Sequence, residues 1–304
     1  MRAVRYDDYG GSDVLYLGEM PDPVPGPGQL LVRVAAAGVN PADGKWRAGM
    51  FKDFIPIEMP HVPGYDIAGT VEAVGPEVTG FRAGDRIVAL LGNTTHGAYA
   101  ELAAADAAAS AKLPDGVDFA LAAALPVAAL TAVQMIEEQI KPAKGETVLV
   151  TGALGAVGRW LVHAALAQGA KVIAAVRPSQ AAAARALGAS EAVALEVGDH
   201  ADVSFNHVAD TVGGPAVTSL CRRLIPGGRI CTAATDPIDP AGLATEPVFI
   251  FLHQDGPRLA RIVDEVAAGK IEVPIARRMS YADAKEAQDL MAAGGLGGKI
   301  ILHP

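Results

Sequence analysis

The sequence predicts an α/β protein in two parts, a β-rich half followed by a doubly wound parallel sheet with helices on both faces. Three observations predict it. The chain has 304 residues, more than one hydrophobic core usually organises, so two domains are expected. Short apolar runs alternate with Gly/Pro turns up to about residue 118, and strand-helix alternation follows from about residue 119. A glycine-rich turn stands where the first of those later strands meets its helix.

In the first half, Leu30–Val34 reads as a strand entered through the Pro/Gly-rich stretch Met20–Gln29, and Ile67–Val74 and Arg86–Leu90 read likewise. Leu121–Gln139 reads as a helix that Pro126 restricts to starting near that residue. Strand Thr147–Thr151, helix Ala156–Gln168, strand Ala170–Val176 and helix Gln180–Leu187 come next. Short strands recur near Ala192–Leu195, His207–Thr211 and Gly228–Thr232. After an apolar run at Val248–Leu252, Leu259, Ile262, Val263 and Val266 mark one face of a helix. A second helix is expected after Ser280, ending at Gly294-Gly295, and then a last strand, Lys299–Leu302.

Composition excludes several classes of function. Lys and Arg number 25 against 34 Asp and Glu, a net charge of −9, and no basic cluster offers a face for nucleic acid or an anionic membrane. No apolar run reaches the roughly 18 residues needed to cross a bilayer, and the N-terminus lacks a signal-like apolar core. Two cysteines, Cys221 and Cys231, give no disulfide framework and read as core thiols. A cytoplasmic protein is the expectation.

The glycine turn carries the chemistry. The strand TVLVT runs into Gly152-Ala153-Leu154-Gly155-Ala156-Val157-Gly158 and then into an apolar-faced helix. Such a junction aims backbone N–H groups and a positive helix end at a pyrophosphate. Ala153 replaces one glycine of the usual G-x-G-x-x-G, while Gly152, Gly155 and Gly158 keep a G-x-x-G-x-x-G spacing. A dinucleotide is therefore expected here, against the alternative of a purely structural turn. The next strand ends Val176-Arg177-Pro178-Ser179, with no acid to accept from a ribose 2′-hydroxyl. Arg177 suits a 2′-phosphate and Ser179 adds a donor, so the cofactor expected is NADPH.

Several segments together resemble the zinc-independent quinone oxidoreductase branch of the medium-chain dehydrogenase/reductase superfamily. They are Gly38–Asp43, Pro63–Gly69, Gly84–Val88, Gly97–Glu101, Leu130–Ala132, the glycine turn, Asp210–Gly214 and Gly298–Ile300. The resemblance runs nearly the whole chain, in order. It implies a GroES-like β-rich catalytic domain over 1–120, a Rossmann domain over 121–253 and a return to the catalytic domain over 254–304. It also implies an active site between the domains and a homodimer. It puts Asn40 and Lys45 beside the nicotinamide, Thr131 near the nicotinamide or a phosphate, and Ala233 and Ala234 along the ring. Phe251 and Lys299 would close the pocket's far side, with plain packing an alternative for Phe251. His96 would line the acceptor pocket, or be an ordinary loop histidine.

The zinc alcohol dehydrogenases of that superfamily have a cysteine where this chain has Asn40, and Gly-His-Glu where it has Gly64-Tyr65-Asp66. A catalytic zinc wants Cys, His and carboxylate ligands, so no metal is expected; His61 reads as a loop or surface histidine. Without a Lewis acid, a conjugated acceptor is the easier substrate. That implies reduction of a quinone or an enone by direct hydride transfer, with Asn40, Lys45 and Tyr65 as the candidate catalytic groups. Tyr65 is the candidate proton donor, and Asp43 and Asp66 read as loop-holding residues. Two rival readings stay open: a 2-enoyl-thioester reductase, and a non-catalytic NADPH-binding or sensing protein.

Overall fold

Strands form where β-branched and aliphatic residues alternate between Gly/Pro breaks. In a computed structural model that describes residues 1–92, 97–195 and 203–304, β1 (Arg2–Arg5) and β2 (Tyr16–Glu19) make a two-stranded antiparallel ribbon. Next come β3 (Gln29–Gly38), helix α1 (Pro41–Arg47), β4 (Asp66–Val74), β5 (Arg86–Leu90), β6 (Leu102–Asp106) and β7 (Ser110–Lys112). The helix that Pro126 restricts to starting near that residue does start there, as α3 (Pro126–Gln134), and a separate short helix not expected, α2 (Phe119–Ala123), precedes it. Proline has no N–H to continue a helix but suits its first turn, so the chain stops and restarts there. Met135–Ile140 continues as a π-type turn.

Strand-helix alternation then gives β8 (Thr147–Thr151), α4 (Ala156–Ala167), β9 (Lys171–Val176), α5 (Ala181–Ala186) and β10 (Glu191–Ala194). β11 (Phe205–Asp210), α6 (Gly214–Cys221), β12 (Leu224–Thr232) and β13 (Val248–Phe249) complete it. The strands pair in parallel in the order β10-β9-β8-β11-β12-β13. The winding reverses between β8 and β11, the place where doubly wound sheets bind ligands at their carboxyl ends. The run Val248–Leu252 pairs with β12 only over its first two residues, through Val248 and Phe249.

The chain ends with α7 (Gly256–Ala267), β14 (Ile275–Ser280), α8 (Ala284–Ala293) and β15 (Lys299–His303). Ser280 opens a 3₁₀ turn over Tyr281–Asp283, its N–H and hydroxyl both donating to Asp283 Oδ2 at 3.1 and 2.9 Å, and it is Asp283, not Ser280, that stands at the N-cap of α8. β15 pairs in parallel with β14 and antiparallel with β3, completing a seven-stranded sheet ordered β14-β15-β3-β4-β5-β7 with β6 on β3.

The chain divides into two compact units, residues 1–127 with 253–304, and residues 128–252. The first buries Leu30, Val32, Ile67, Ile87, Tyr99 and Ile300. The second buries Leu149, Phe205, Val208, Leu220 and Ile230. Among the described residues no helix is long and apolar enough to cross a membrane.

Candidate functional site

The sequence-predicted residues fall in both units, and each group is built from its own unit. In the unit spanning 128–252, Gly152 leaves β8 with φ +62°, and the Gly155 N–H closes the turn on Gly152 O at 2.8 Å. Gly155 caps α4, which puts Ala156, Val157 and Gly158 in its first turn, where helical N–H groups lack intrahelical partners. A Cβ at 158 would strike the Gly152 carbonyl and come within 2.8 Å of Ala153 Cα. Ala153 is fully buried under the turn and tolerates its methyl. The turn is thus a cradle of backbone donors that side chains would fill, as a pyrophosphate requires.

A carboxylate braces this cradle from below. Asp210, at the end of β11, accepts from the Thr151 and Thr232 hydroxyls at 2.5 Å each, and from the Val212 and Gly213 N–H groups at 2.9 and 3.0 Å. Ala233 follows with its N–H on the Asp210 carbonyl at 2.9 Å. Arg177 and Ser179 are exposed just past β9; the Arg177 backbone N–H is held by Gln180 at 3.2 Å. Thr131 is buried on α3. Phe251 is 83% exposed and packs edge-to-face on Phe249 at 5.4 Å, so the alternative of core packing for Phe251 is corrected.

In the β-rich unit, β3 ends at Gly38, and Asn40, the N-cap of α1, uses its side-chain amide at both ends. Its Nδ2 donates to Asp66 Oδ2 at 2.9 Å, and its Oδ1 accepts from Lys299 Nζ at 2.6 Å. Lys299 Nζ also lies 3.2 Å from Asp66 Oδ2, with both side chains almost wholly buried. Asp66 Oδ1 accepts the Val127 N–H at 2.8 Å. Burial pushes the Asp66 carboxyl up, opposed chiefly by the Lys299 charge. Lys299 was expected at the edge of a pocket; it is instead the internal cation of this cluster. Asn40, at the place the resemblance gives to a cysteine ligand, therefore closes with Asp66 on a lysine ammonium. With that ammonium between Asn40 and Asp66, and a phenol at 65, the donor set does not fit zinc. Among the described residues no three His, Cys, Asp or Glu side chains are grouped to hold a metal.

Around this cluster, α1 places Asp43 inward. Its Oδ2 accepts the Asn40 N–H at 2.8 Å and the Tyr99 hydroxyl at 2.7 Å. Gly64, at φ +98°, turns the chain against the Tyr99 ring, which a Cβ would meet at 2.6 Å. Tyr65 is buried, and desolvation holds its hydroxyl far above the ordinary phenol range, so it stays protonated. Half-burial lowers the Lys45 ammonium. His61 is buried rather than on a surface loop, bridging Tyr6 by backbone and ring edge. Cys221 and Cys231 are buried and free, each thiol pushed up to about 12 by burial. His96 lies outside the described residues.

Sequence reasoning missed Tyr6 and His61, and gave Asp43 only a loop-holding part. The spacing Asn-Pro-x-Asp, a helix start with an acid at its third position, was the available signal for Asp43.

Residues 26–115 match the alcohol dehydrogenase GroES-like domain, residues 187–302 the zinc-binding dehydrogenase domain, and residues 148–217 the NAD dependent epimerase/dehydratase family. The chain is 32% identical to 2-methylene-furan-3-one reductase of Solanum lycopersicum, over all of this chain and 79% of that protein. It is 30% identical to the chloroplastic quinone-oxidoreductase homolog of Spinacia oleracea, over all of this chain and 98% of that one. Among solved structures, the mycobacterial protein Rv1454c complexed with NADPH superimposes with a TM-score of 0.85 at 29% identity, over the full length of both.

Proposed function

The chain belongs to the zinc-independent quinone oxidoreductase branch of the medium-chain dehydrogenase/reductase superfamily, and from that premise we propose that it reduces quinones or α,β-unsaturated carbonyls with NADPH. The observation that carries the reading is the Lys299 ammonium seated between Asn40 and Asp66. A site built this way lacks a Lewis acid to polarise a simple carbonyl, so the acceptor must delocalise incoming charge itself. Quinones and enones do so.

NADPH, when bound, supplies the hydride. The glycine cradle fits it: the amides of Ala156, Val157 and Gly158 would hold the pyrophosphate, and exposed Arg177 with Ser179 would take the 2′-phosphate. Thr131, Ala233 and Phe251 are proposed further cofactor contacts. The Tyr65 hydroxyl and the half-buried Lys45 ammonium are the proposed donors to the acceptor oxygen that gains charge. Asn40, its amide held by Asp66 and Lys299, keeps these groups in register.

A homodimer is part of the proposal. It is supported by the edge of β13, where Val248, Phe249 and Phe251 leave apolar side chains exposed. A cytoplasmic setting is proposed as well, on the two free, buried thiols. The test is the purified chain with NADPH and a panel of para-quinones and α,β-unsaturated ketones, followed by loss of reduced-nicotinamide absorbance. Turnover of at least one class is expected, and none with either class refutes the reading.

A further inference from the structure

The β-rich unit contains a small pocket with an unexplained polar lining. Tyr6, Asp43, Trp46, His61, Gly64 and Tyr65 border a cavity of about 10 Å³, room for about one water molecule. Among the described residues two of its lining groups end in buried polar atoms with no hydrogen-bond partner, Tyr6 Oη and Asp43 Oδ1. Both residues are essentially inaccessible, at 0% and 1% exposure. Native interiors leave few such atoms, so two on one cavity call for a reason.

Asp43 Oδ2 is saturated by Asn40 and Tyr99, which leaves Oδ1 as the atom able to exchange a proton. The surroundings of Asp43 set its protonation. Burial pushes its carboxyl up to about 7, and Asp66 adds to that push. The Tyr99 and Asn40 hydrogen bonds and the Lys299 charge pull the other way. Tyr6, Tyr65 and His61 face it across the cavity, and Arg47 lies one turn further along α1. Both tyrosines are raised by desolvation, so they stay protonated and relay rather than store a proton.

We propose that Asp43 is the proton reservoir of the reductase reaction, passing its proton through a water held between Asp43 Oδ1 and Tyr6 Oη to Tyr65, the donor to the acceptor. The inference rests on the reductase reading above. Each turnover adds one hydride from NADPH and one proton to the acceptor. The Tyr65 O–H bond breaks as the acceptor's new bond to hydrogen forms, the Tyr65 oxygen takes a proton from the water, and the water takes the Asp43 proton. Solvent then reprotonates Asp43. Asp43 is thus a positioning and proton-storing residue, acting through Tyr65.

Infrared difference spectroscopy of the full chain across a pH titration, with and without NADPH, tests it without any acceptor. A protonated-carboxyl band titrating near neutral pH is expected, absent in Asp43→Asn. Tyr6→Phe removes a hydroxyl with no protein partner among the described residues, so it should keep the melting temperature yet shift that band or its midpoint. In turnover, kcat/KM for the acceptor should fall as pH rises through neutrality. Asp43→Asn should flatten that profile and lower kcat about 100-fold, with the KM for NADPH unchanged. A chain that reduces acceptors without such a band, or with a band that Tyr6→Phe leaves unmoved, overturns the relay alone. A band that titrates in a chain reducing no acceptor refutes the reductase reading, and the relay with it.

Discussion

Lys299→Met removes the internal cation and leaves the Asp66 carboxylate at 0% exposure facing an amide and one backbone N–H. Methionine matches the lysine stem in length, so packing is nearly kept and the loss is electrostatic. Breaking a buried ion pair by deleting one partner costs about 3–5 kcal/mol. For a unit of this size each kcal/mol lowers the melting temperature by about 2–4 °C, which gives a fall of roughly 6–20 °C. The pH dependence has a definite sign. Burial already raises the Asp66 carboxyl, and losing Lys299 raises it further. A carboxyl raised in the folded state favours folding at low pH and loses that advantage as pH climbs. The variant should therefore approach wild type in acid and fall away toward neutrality. Adding Asp66→Asn removes the unpaired charge and should restore most of the loss. The assay is urea and thermal unfolding of wild type, both single variants and the double, at acid and neutral pH. A Lys299→Met protein within about 1 kcal/mol of wild type at neutral pH, or a double variant no better than the single, refutes the reasoning.

Three further outcomes are expected. Gly158→Ala sets a methyl against the Gly152 carbonyl, and NADPH affinity by fluorescence titration should fall at least about 10-fold, or 1.4 kcal/mol. Arg177→Ala deletes the exposed guanidinium proposed for the 2′-phosphate; the KM for NADPH should rise about 10–100-fold with that for NADH little changed, and an unchanged preference counts against the assignment. Phe251→Asp charges the exposed β13 edge, and light scattering should show the dimer giving way to monomer; a dimer that survives places the interface elsewhere.

The parts legible in the sequence were those whose signal is local. TVLVT followed by GALGAVG announces β8, its turn and α4 within a dozen neighbouring residues, because strand, glycine geometry and helix period are short-range properties. Asn40 and Tyr65 could be read as replacing metal ligands because the family resemblance supplies the two positions and residue type then decides ligation. What occupies that space could not be read. Lys299 and Asn40 are 259 residues apart in sequence, and no local pattern pairs an ammonium near one end of a chain with an amide near the other. The same holds for Tyr6 and His61, which meet Asp43 only after β1, α1 and the segment before β4 have packed. The helix start at Pro126 was readable from a local rule, whereas α2 ahead of it, Phe119–Ala123, is mostly alanine and carries no amphipathic stripe to announce it.

The placement of Lys299 also bears on the order in which the protein is made. The parallel-sheet unit is one continuous stretch, 128–252, and its strands can pair as soon as they leave the ribosome. The β-rich unit is split: β3, β4 and α1 are synthesised early, yet the strand between β3 and β14, and the charge that neutralises Asp66, arrive only with β15. Until then a nascent chain carries an open sheet edge on β3 and a buried carboxylate without its counter-charge. The half bearing the proposed proton chemistry is thus completed last, after the nucleotide-binding half has folded, and in that interval the chain would most need protection from aggregation.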